Sequence, residues 1–284
     1  MSWLFDSIAE LLVNSILATL GGIFGGITDV VNDAALEVGV TPGTWNPGVF
    51  SMVENLSNTV ILPIAGIILT GVVSYELIHL IIDRNNMSDF ESFIFIKWIF
   101  KTIIAVLILS NAWVIVMAVF DLAANVVASS AGVITGGMPN TGGALLNAQN
   151  QLEAMTLGEL LPIFLQVQIV SLLMNIVGIL IPIVIWGRMI EIYLTVSVAP
   201  IPLATMVNRE WGTVGNNYLK SLLALGFQGF LIMVCVAIYS ALIAVIGTSD
   251  NLNAALWQQL GSSVLLVLML FKTGAMAKGI FNAH

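Results

Sequence analysis

ENLSNTVILPIAGIILTGVVSYELIHLIIDRNNMSDFESFIFIKWIFKTIIAVLILSNAWVIVMAVFD, residues 54–121, decides the fold. Two uncharged runs, 55–75 and 102–120, flank the hinge DRNNMSDFESFIFIKWIFK at 83–101. A helix needs roughly 20 apolar residues to cross the hydrocarbon core of a bilayer, and each run is of that length. In hydrocarbon the backbone must satisfy its own hydrogen bonds, which leaves helices or closed barrels. The runs are continuous rather than alternating, so helices are expected.

The rest of the chain carries the same signature. Its 284 residues are 58% hydrophobic and 8% charged, with a mean hydropathy of +1.02. Soluble proteins carry about 25% charged residues, so a water-soluble domain is excluded. The net charge of −8 matters less than its distribution. One cysteine, Cys235, lies in an apolar run; it excludes an internal disulfide and reads as a small packing residue. No Lys or Arg precedes Arg84, so a basic-headed secretory signal is not expected.

The predicted class is therefore an all-α polytopic membrane protein. Five spans are expected, near 57–82, 101–121, 162–187, 221–247 and 257–273, as a membrane domain over 41–284. Five spans put every basic residue on one side: Arg84, Lys97 and Lys101 by the hinge, Arg188, Arg209 and Lys220 between the third and fourth spans, Lys272 and Lys278 after the fifth. The other side carries acids and no Lys or Arg. The positive-inside rule then predicts an extracytoplasmic N-terminus and a cytoplasmic C-terminus. Trp98, Trp186 and Trp257 fall near proposed span ends, where indoles favour the interface.

Three stretches do not read as simple spans. Residues 1–40 read as two amphipathic extracytoplasmic helices broken at Gly21 and Gly22, with apolar Leu4, Ile8, Leu11 and Leu12 opposite Asp6, Glu10 and Asn14. A sixth span within 11–28 is the alternative. Residues 192–208, IYLTVSVAPIPLATMVN, are apolar but short, with Arg188 and Arg209 beyond their ends. They read as a re-entrant or interfacial segment on the cytoplasmic side, because spanning would separate the two arginines. Pro200, Pro202 and Arg209 then mark a candidate docking or gate segment, with a proline-terminated interfacial helix as the plainer alternative. The 129–150 stretch, rich in Gly, Ser, Asn and Thr, reads as an extracytoplasmic loop.

Ionisable groups inside a membrane are candidate functional groups. Glu76 and His79, one turn apart, are expected to pair with each other or with Lys97 or Lys101. The arrangement reads as a helix clamp or as a proton or gating pair. Arg188 and Glu191 form a second such pair by spacing. Asn111, Gln166, Gln168, Asn175 and Gln228 are expected to bond to neighbouring helices or to face a pore. Thr59, Pro63, Gly66, Thr70 and Ser74 form a stripe suited to close helix contact. No nucleophile elbow, phosphate loop or HExxH motif is present, and His79 and His284 are too few for a histidine metal cluster. Neither enzyme activity nor a cofactor is expected.

The 54–121 stretch, continued through DLA, resembles the core of TrbL-type conjugal transfer proteins, the polytopic membrane subunits of type IV secretion systems. It is similar to the compact versions on conjugative elements of Gram-positive bacteria. GRMIEIYLTVSVAPIPLATM at 187–206 resembles the family pattern of a basic residue before a proline-containing apolar stretch. The resemblance covers the chain from about Thr41 onward. It implies a homo-oligomeric channel or scaffold subunit in a bacterial cytoplasmic membrane, working with other secretion subunits including a cytoplasmic ATPase. Bound phospholipids and transit of single-stranded DNA or a protein substrate are further implied partners. The chain departs from larger family members in lacking a large extracytoplasmic domain, and no catalytic residue carries over. An ion-coupled secondary transporter is the rival reading, with Glu76 and His79 as its relay and the broken 192–208 segment as its site.

Overall fold

The computed structural model describes residues 2–82, 92–134, 141–208, 210–246 and 251–283, and among these every regular element is helical. Residues 83–91 of the hinge with Arg84, residues 135–140, Arg209, residues 247–250 and His284 lie outside the described residues. The helices are α1 (Ser2–Val38), α2 (Pro42–Trp45), α3 (Pro47–Leu56), α4 (Leu62–Ile82), α5 (Ser92–Ser110), α6 (Ala112–Ile134), α7 (Thr141–Glu153), α8 (Leu157–Ser197), α9 (Pro200–Thr205), α10 (Gly212–Ile246) and α11 (Leu252–Phe281). A π-helical turn, Ser57–Ile61, joins α3 to α4.

Among the described residues, six stretches are long and apolar enough to cross a bilayer: Phe5–Val38, Pro47–Ile82, Ala112–Ser130, Leu157–Ser197, Gly212–Ile243 and Leu252–Phe281. The chain is thus an all-α polytopic protein, with three differences from its expected layout. Residues 2–38 form one continuous helix rather than two. Glycine pairs break helices in water, where the freed backbone can bond to solvent; away from water, continuing the helix is the cheaper choice. The predicted 101–121 span divides at Asn111, and its crossing-length part is Ala112–Ser130. Asp121 alone ended the predicted span, yet the apolar helix runs on to Ile134. Backbone bonds from Asn111 to the Leu107 carbonyl and from Ile115 to the Asn111 carbonyl carry the helix through the break. Third, much of the predicted 129–150 loop is helical. Leu145, Ala148 and Leu152 give α7 an apolar face that packs against α1, a period hidden by the surrounding small polar residues.

Local signals set several helix starts. Asn46 caps α3, its Oδ1 accepting from the Val49 N–H at 3.0 Å with Pro47 at the first helical position. Thr156 and Glu159 form a capping box on α8, the Glu159 carboxylate accepting from the Thr156 N–H and hydroxyl, each at 2.8 Å. The π turn falls just before Pro63, whose ring has no N–H to donate and crowds the carbonyl four residues back. Widening that turn absorbs the misfit and one extra residue.

The chain folds as two compact units: Met1–Gly39, Val126–Trp186 and Gly229–Thr273 in the first, Val40–Asn125, Gly187–Gln228 and Gly274–His284 in the second. In the first, Ile16 and Leu20 of α1, Leu152 of α7, Leu160 and Ile181 of α8, Ile232 of α10 and Leu256 of α11 form the core. Here α1 runs parallel to α8. Gln168 Nε2 donates to Thr19 Oγ1 at 3.4 Å and Trp186 Nε1 to Glu37 Oε2 at 3.0 Å, contacts separated by the same 18 residues on both helices. That stretch of helix is about 27 Å long, close to the thickness of a hydrocarbon core.

In the second unit, Val53, Val116, Phe120, Met189, Ile192, Val196 and Leu222 form one core, and Ala65, Leu69, Ala105, Leu109 and Ala204 a smaller one. The buried positions of α3 and α4 step through Val53, Ser57, Ala65, Leu69 and Val72. The predicted contact stripe is displaced from this face: Thr59, Pro63, Thr70 and Ser74 are exposed within the subunit.

Residues 192–208 complete α8, turn, and form the short α9, whose Pro200, Pro202, Leu203 and Ala204 are buried. α9 packs on α4 and α5. Its approach to α10 is close at Gly215, where a Cβ would sit 2.1 Å from Met206 Cγ and 2.6 Å from the Pro202 carbonyl oxygen. The methionine can swing away; the carbonyl belongs to the backbone and cannot. Gly215→Ala is expected to destabilise the detergent-solubilised protein by about 1–3 kcal/mol, the usual cost of overpacking. Gly66→Ala, where a Cβ meets open space, should leave the melting temperature unchanged or raised. Thermal unfolding followed by size-exclusion chromatography reads both.

Candidate functional site

A polar cluster lies in the second unit, where α4, α5 and the connector between α9 and α10 meet. Glu76, on the buried side of α4, is its centre. Lys101 of α5 donates to Glu76 Oε1 at 2.6 Å, and Asn208 Nδ2 donates to Glu76 Oε2 at 3.1 Å. Both oxygens of one half-buried carboxylate are therefore used, one by each neighbouring element. Asn208 Oδ1 in turn accepts from the backbone N–H of Glu210 at 2.7 Å and of Trp211 at 3.1 Å, closing the turn that leads into α10.

The preceding residue of α4 supports the same connector. Tyr75 OH donates to Glu210 Oε2 at 3.2 Å, and its ring stacks on Trp211 with centroids 5.6 Å apart and planes 9° off parallel. His79, one turn along, lies against Tyr75 with the ring planes tilted by 59° and centroids 4.5 Å apart. The ring spacing Tyr75–His79 is the ordinary one-turn neighbour relation on a helix.

The predicted residues divide as follows. Glu76 pairs with Lys101, one of the partners expected for it; His79 lies tilted against the Tyr75 ring. Lys97 is exposed. Arg188 and Glu191 turn apart. Arg188 is buried and its Nε donates to the Leu225 carbonyl of α10 at 3.3 Å, whereas Glu191 accepts from Lys278 of α11 at 2.9 Å. Three helical steps leave about 60° between the two side chains, enough for different neighbouring helices to claim them. Pro200 and Pro202 are buried. Asn208, Tyr75, Glu210, Trp211 and Lys278 were missed. The readable signal was an asparagine a few residues before the Gly212 start of a long apolar helix, a capping position.

The membrane amides find partners of two kinds. Gln166 Nε2 donates to Asn253 Oδ1 at 2.6 Å, joining α8 to α11, and Gln168 joins α8 to α1. Asn111 and Asn175 donate to carbonyls of their own helices, Leu107 and Ser171, at 2.8 and 3.0 Å. Between α10 and α11, Tyr239 OH and Ser263 Oγ share a hydrogen bond at 2.8 Å, and Gln259 Nε2 reaches the same phenol at 3.4 Å. A groove of about 680 Å³ runs between α1 and α8, lined by Ala18, Gly22, Gly26, Gln168, Asn175 and Gly178 among others.

These polar groups tie helices and connectors together, as expected of a polytopic membrane subunit. Residues 27–200, more than half of the chain, match the family described as TrbL/VirB6 plasmid conjugal transfer like protein. The chain belongs to that family, which makes it a bacterial membrane protein and a conjugal transfer, type IV secretion subunit. The match starts inside α1, earlier than the resemblance read from the sequence, and ends at Pro200. No curated protein and no solved structure matches the chain.

The two ion pairs should differ in weight. Lys278 and Glu191 are nearly half exposed, at 46% and 44% of their side chains; exposed pairs contribute about 0–1 kcal/mol. Glu76 is 20% exposed and holds two partners. Glu76→Ala is expected to cost roughly 1–3 kcal/mol, because Lys101 and Asn208 both lose an acceptor, and Lys278→Ala less than about 1 kcal/mol. Thermal shifts in one detergent, compared side by side, give the ordering.

Proposed function

We propose that this chain is a non-catalytic, oligomeric channel or scaffold subunit of a conjugative type IV secretion machine in a bacterial cytoplasmic membrane. The family match over 27–200 carries the reading. The exposed stripe Thr59, Pro63, Thr70 and Ser74 supports oligomerisation, since small residues let membrane helices approach closely. The groove between α1 and α8 is of a size to take a phospholipid acyl chain. A cytoplasmic ATPase and the transferred DNA or protein would meet the basic side of the subunit.

Orientation follows from charge and helix direction together. α8 and α11 carry Arg188, Lys272 and Lys278 toward their C-terminal ends, which the positive-inside rule assigns to the cytoplasm. With the five crossings of the charge map, the N-terminus then belongs on the extracytoplasmic side. The contacts favour a helix clamp over a proton relay: Glu76 is engaged by Lys101 and Asn208, and the His79 ring lies tilted against Tyr75.

Deleting the gene should abolish conjugation, with recovery on complementation. In mild detergent the subunit should elute as a multimer, and a strictly monomeric particle would count against the reading. Glu76→Gln separates the rivals: a scaffold loses some stability or assembly, while a proton-coupled transporter loses coupling altogether. An alkaline phosphatase fused to the N-terminus should be active in cells, and one fused to the C-terminus inactive; the reverse pattern refutes the orientation.

A further inference from the structure

The groove between α1 and α8 lies wholly within the first unit and is incomplete by itself. Its α1 wall is Ala18, Gly22 and Gly26, four residues apart and so on one face. A Cβ added at Gly22 or Gly26 would meet nothing within 4 Å. No contact inside the subunit therefore calls for glycine there, although glycine weakens a helix. The facing wall on α8 carries Gln168, Ser171, Asn175 and Gly178.

Two amides on that wall are exposed and half used. Asn175 Nδ2 donates to the Ser171 carbonyl at 3.0 Å, and Gln168 Nε2 donates to Thr19 Oγ1 at 3.4 Å. Among the described residues neither amide oxygen accepts a hydrogen bond. Asn175 lies near the middle of the 162–187 apolar run, where an oxygen without a donor is costly. A phospholipid acyl chain fits the groove by size but has no donor to offer. A second Asn175 does: each side chain keeps one N–H and one oxygen, so two of them facing each other bond reciprocally.

The shape of α8 favours the same occupant. Leu165, Leu172 and Ile176 are exposed and form an aliphatic ridge beside the groove, roughly 60–100° around the helix from Asn175. A groove lying beside a ridge on one surface is complementary to itself after a twofold rotation. With the axis along the membrane normal, every residue keeps its depth. Each ridge then enters the other copy's groove, and the two Asn175 side chains come together near the axis.

We propose that the α1–α8 groove seats a second copy of this chain, the α8 ridge of each copy lying over Gly22 and Gly26 of the other and the two Asn175 amides bonding across the interface. The pairing rests on the reading of the chain as an oligomeric subunit and names the face that joins two copies.

Two full-length copies with different tags, both carrying Cys235→Ser, test it on co-expression. One carries Gly22→Cys and the other Leu172→Cys; the Thr19–Gln168 contact sets Gly22 level with Ser171, next to Leu172. Oxidation with copper phenanthroline in membranes is expected to link the two tags. Leu194→Cys in place of Leu172→Cys, roughly six turns further along α8, should give no link. Gly26→Leu, at a position where a Cβ meets open space in its own subunit, should abolish the link while the melting temperature is held or raised. Asn175→Leu should slow linking roughly three- to tenfold, the worth of one interhelical amide contact in a membrane, and Asn175→Gln should restore most of the rate.

No link between Gly22→Cys and Leu172→Cys, or a link indifferent to Gly26→Leu, overturns the pairing. Phospholipid that co-purifies with wild type and is lost from Gly26→Leu, with no link in membranes, assigns the groove to an acyl chain instead. A multimer in mild detergent without the link refutes this face alone and leaves the oligomeric reading standing. A strictly monomeric particle with no link in membranes refutes both.

Discussion

A polar group that hydrocarbon surrounds has to find its partner within the protein, and this constraint shapes nearly every side-chain contact here. Thr28 and Thr70 donate to the carbonyl four residues earlier, at 2.7 and 2.9 Å, and Asn111 and Asn175 do the same. Such bonds satisfy the donor without fixing any neighbour. A smaller set does fix neighbours: Gln166 with Asn253, Tyr239 with Ser263, Glu76 with Lys101 and Asn208. Apolar packing between helices gains little over lipid contact, so these few bonds carry much of the specificity of helix arrangement within each unit.

Glu76 is the member of that set with most consequences. A single carboxylate takes one bond from α5 and one from the connector after α9. Moving it would loosen the α4–α5 pairing and the entry into α10 together. Lys278–Glu191 and Arg188–Leu225 make simpler two-helix contacts nearby. The difference is geometric: a group at the end of a pairing between helices can be shared with a connector, whereas one in mid-helix meets only the adjacent helix.

The fold class was legible because hydrocarbon leaves the backbone few options, and runs such as 55–75 and 102–120 state the solvent directly. The location of Glu76–Lys101 was legible too, as charges at the ends of two apolar runs. Other features were hidden for identifiable reasons. Gly21 and Gly22 suggested a break that occurs only when backbone can turn to water. The contact face of α4 runs through Ala65, Leu69 and Val72 instead of the Thr59–Ser74 stripe, and these apolar side chains do not differ in kind from those on the exposed face. Arg188 and Glu191 had the right spacing for each other, but α10 and α11 stand on different sides of α8 there. Asn208 was invisible as a partner of Glu76 because 132 residues separate them, and only the assembled connector brings its amide back to α4.

The family match ends at Pro200, yet neither unit is complete at that point. Leu222 and Leu225 of α10 close the core built by Val116, Phe120 and Met189, and Ile232 and Leu256 close the one built by Ile16, Leu20 and Ile181. Residues 201–284 therefore contribute to the core of each unit and are no appendage to the matched region. The connector sits at this boundary: Glu76 lies within the match and Asn208 just beyond it. Apolar positions in α10 and α11 can change identity freely while still packing against α8, since one large aliphatic residue substitutes for another at small cost. A contact such as Asn208–Glu76 has no such freedom, because it depends on one donor and one acceptor at a fixed separation. Relatives too divergent in α10 and α11 to align there would be expected to keep a donor opposite the α4 carboxylate wherever they keep the connector on α4.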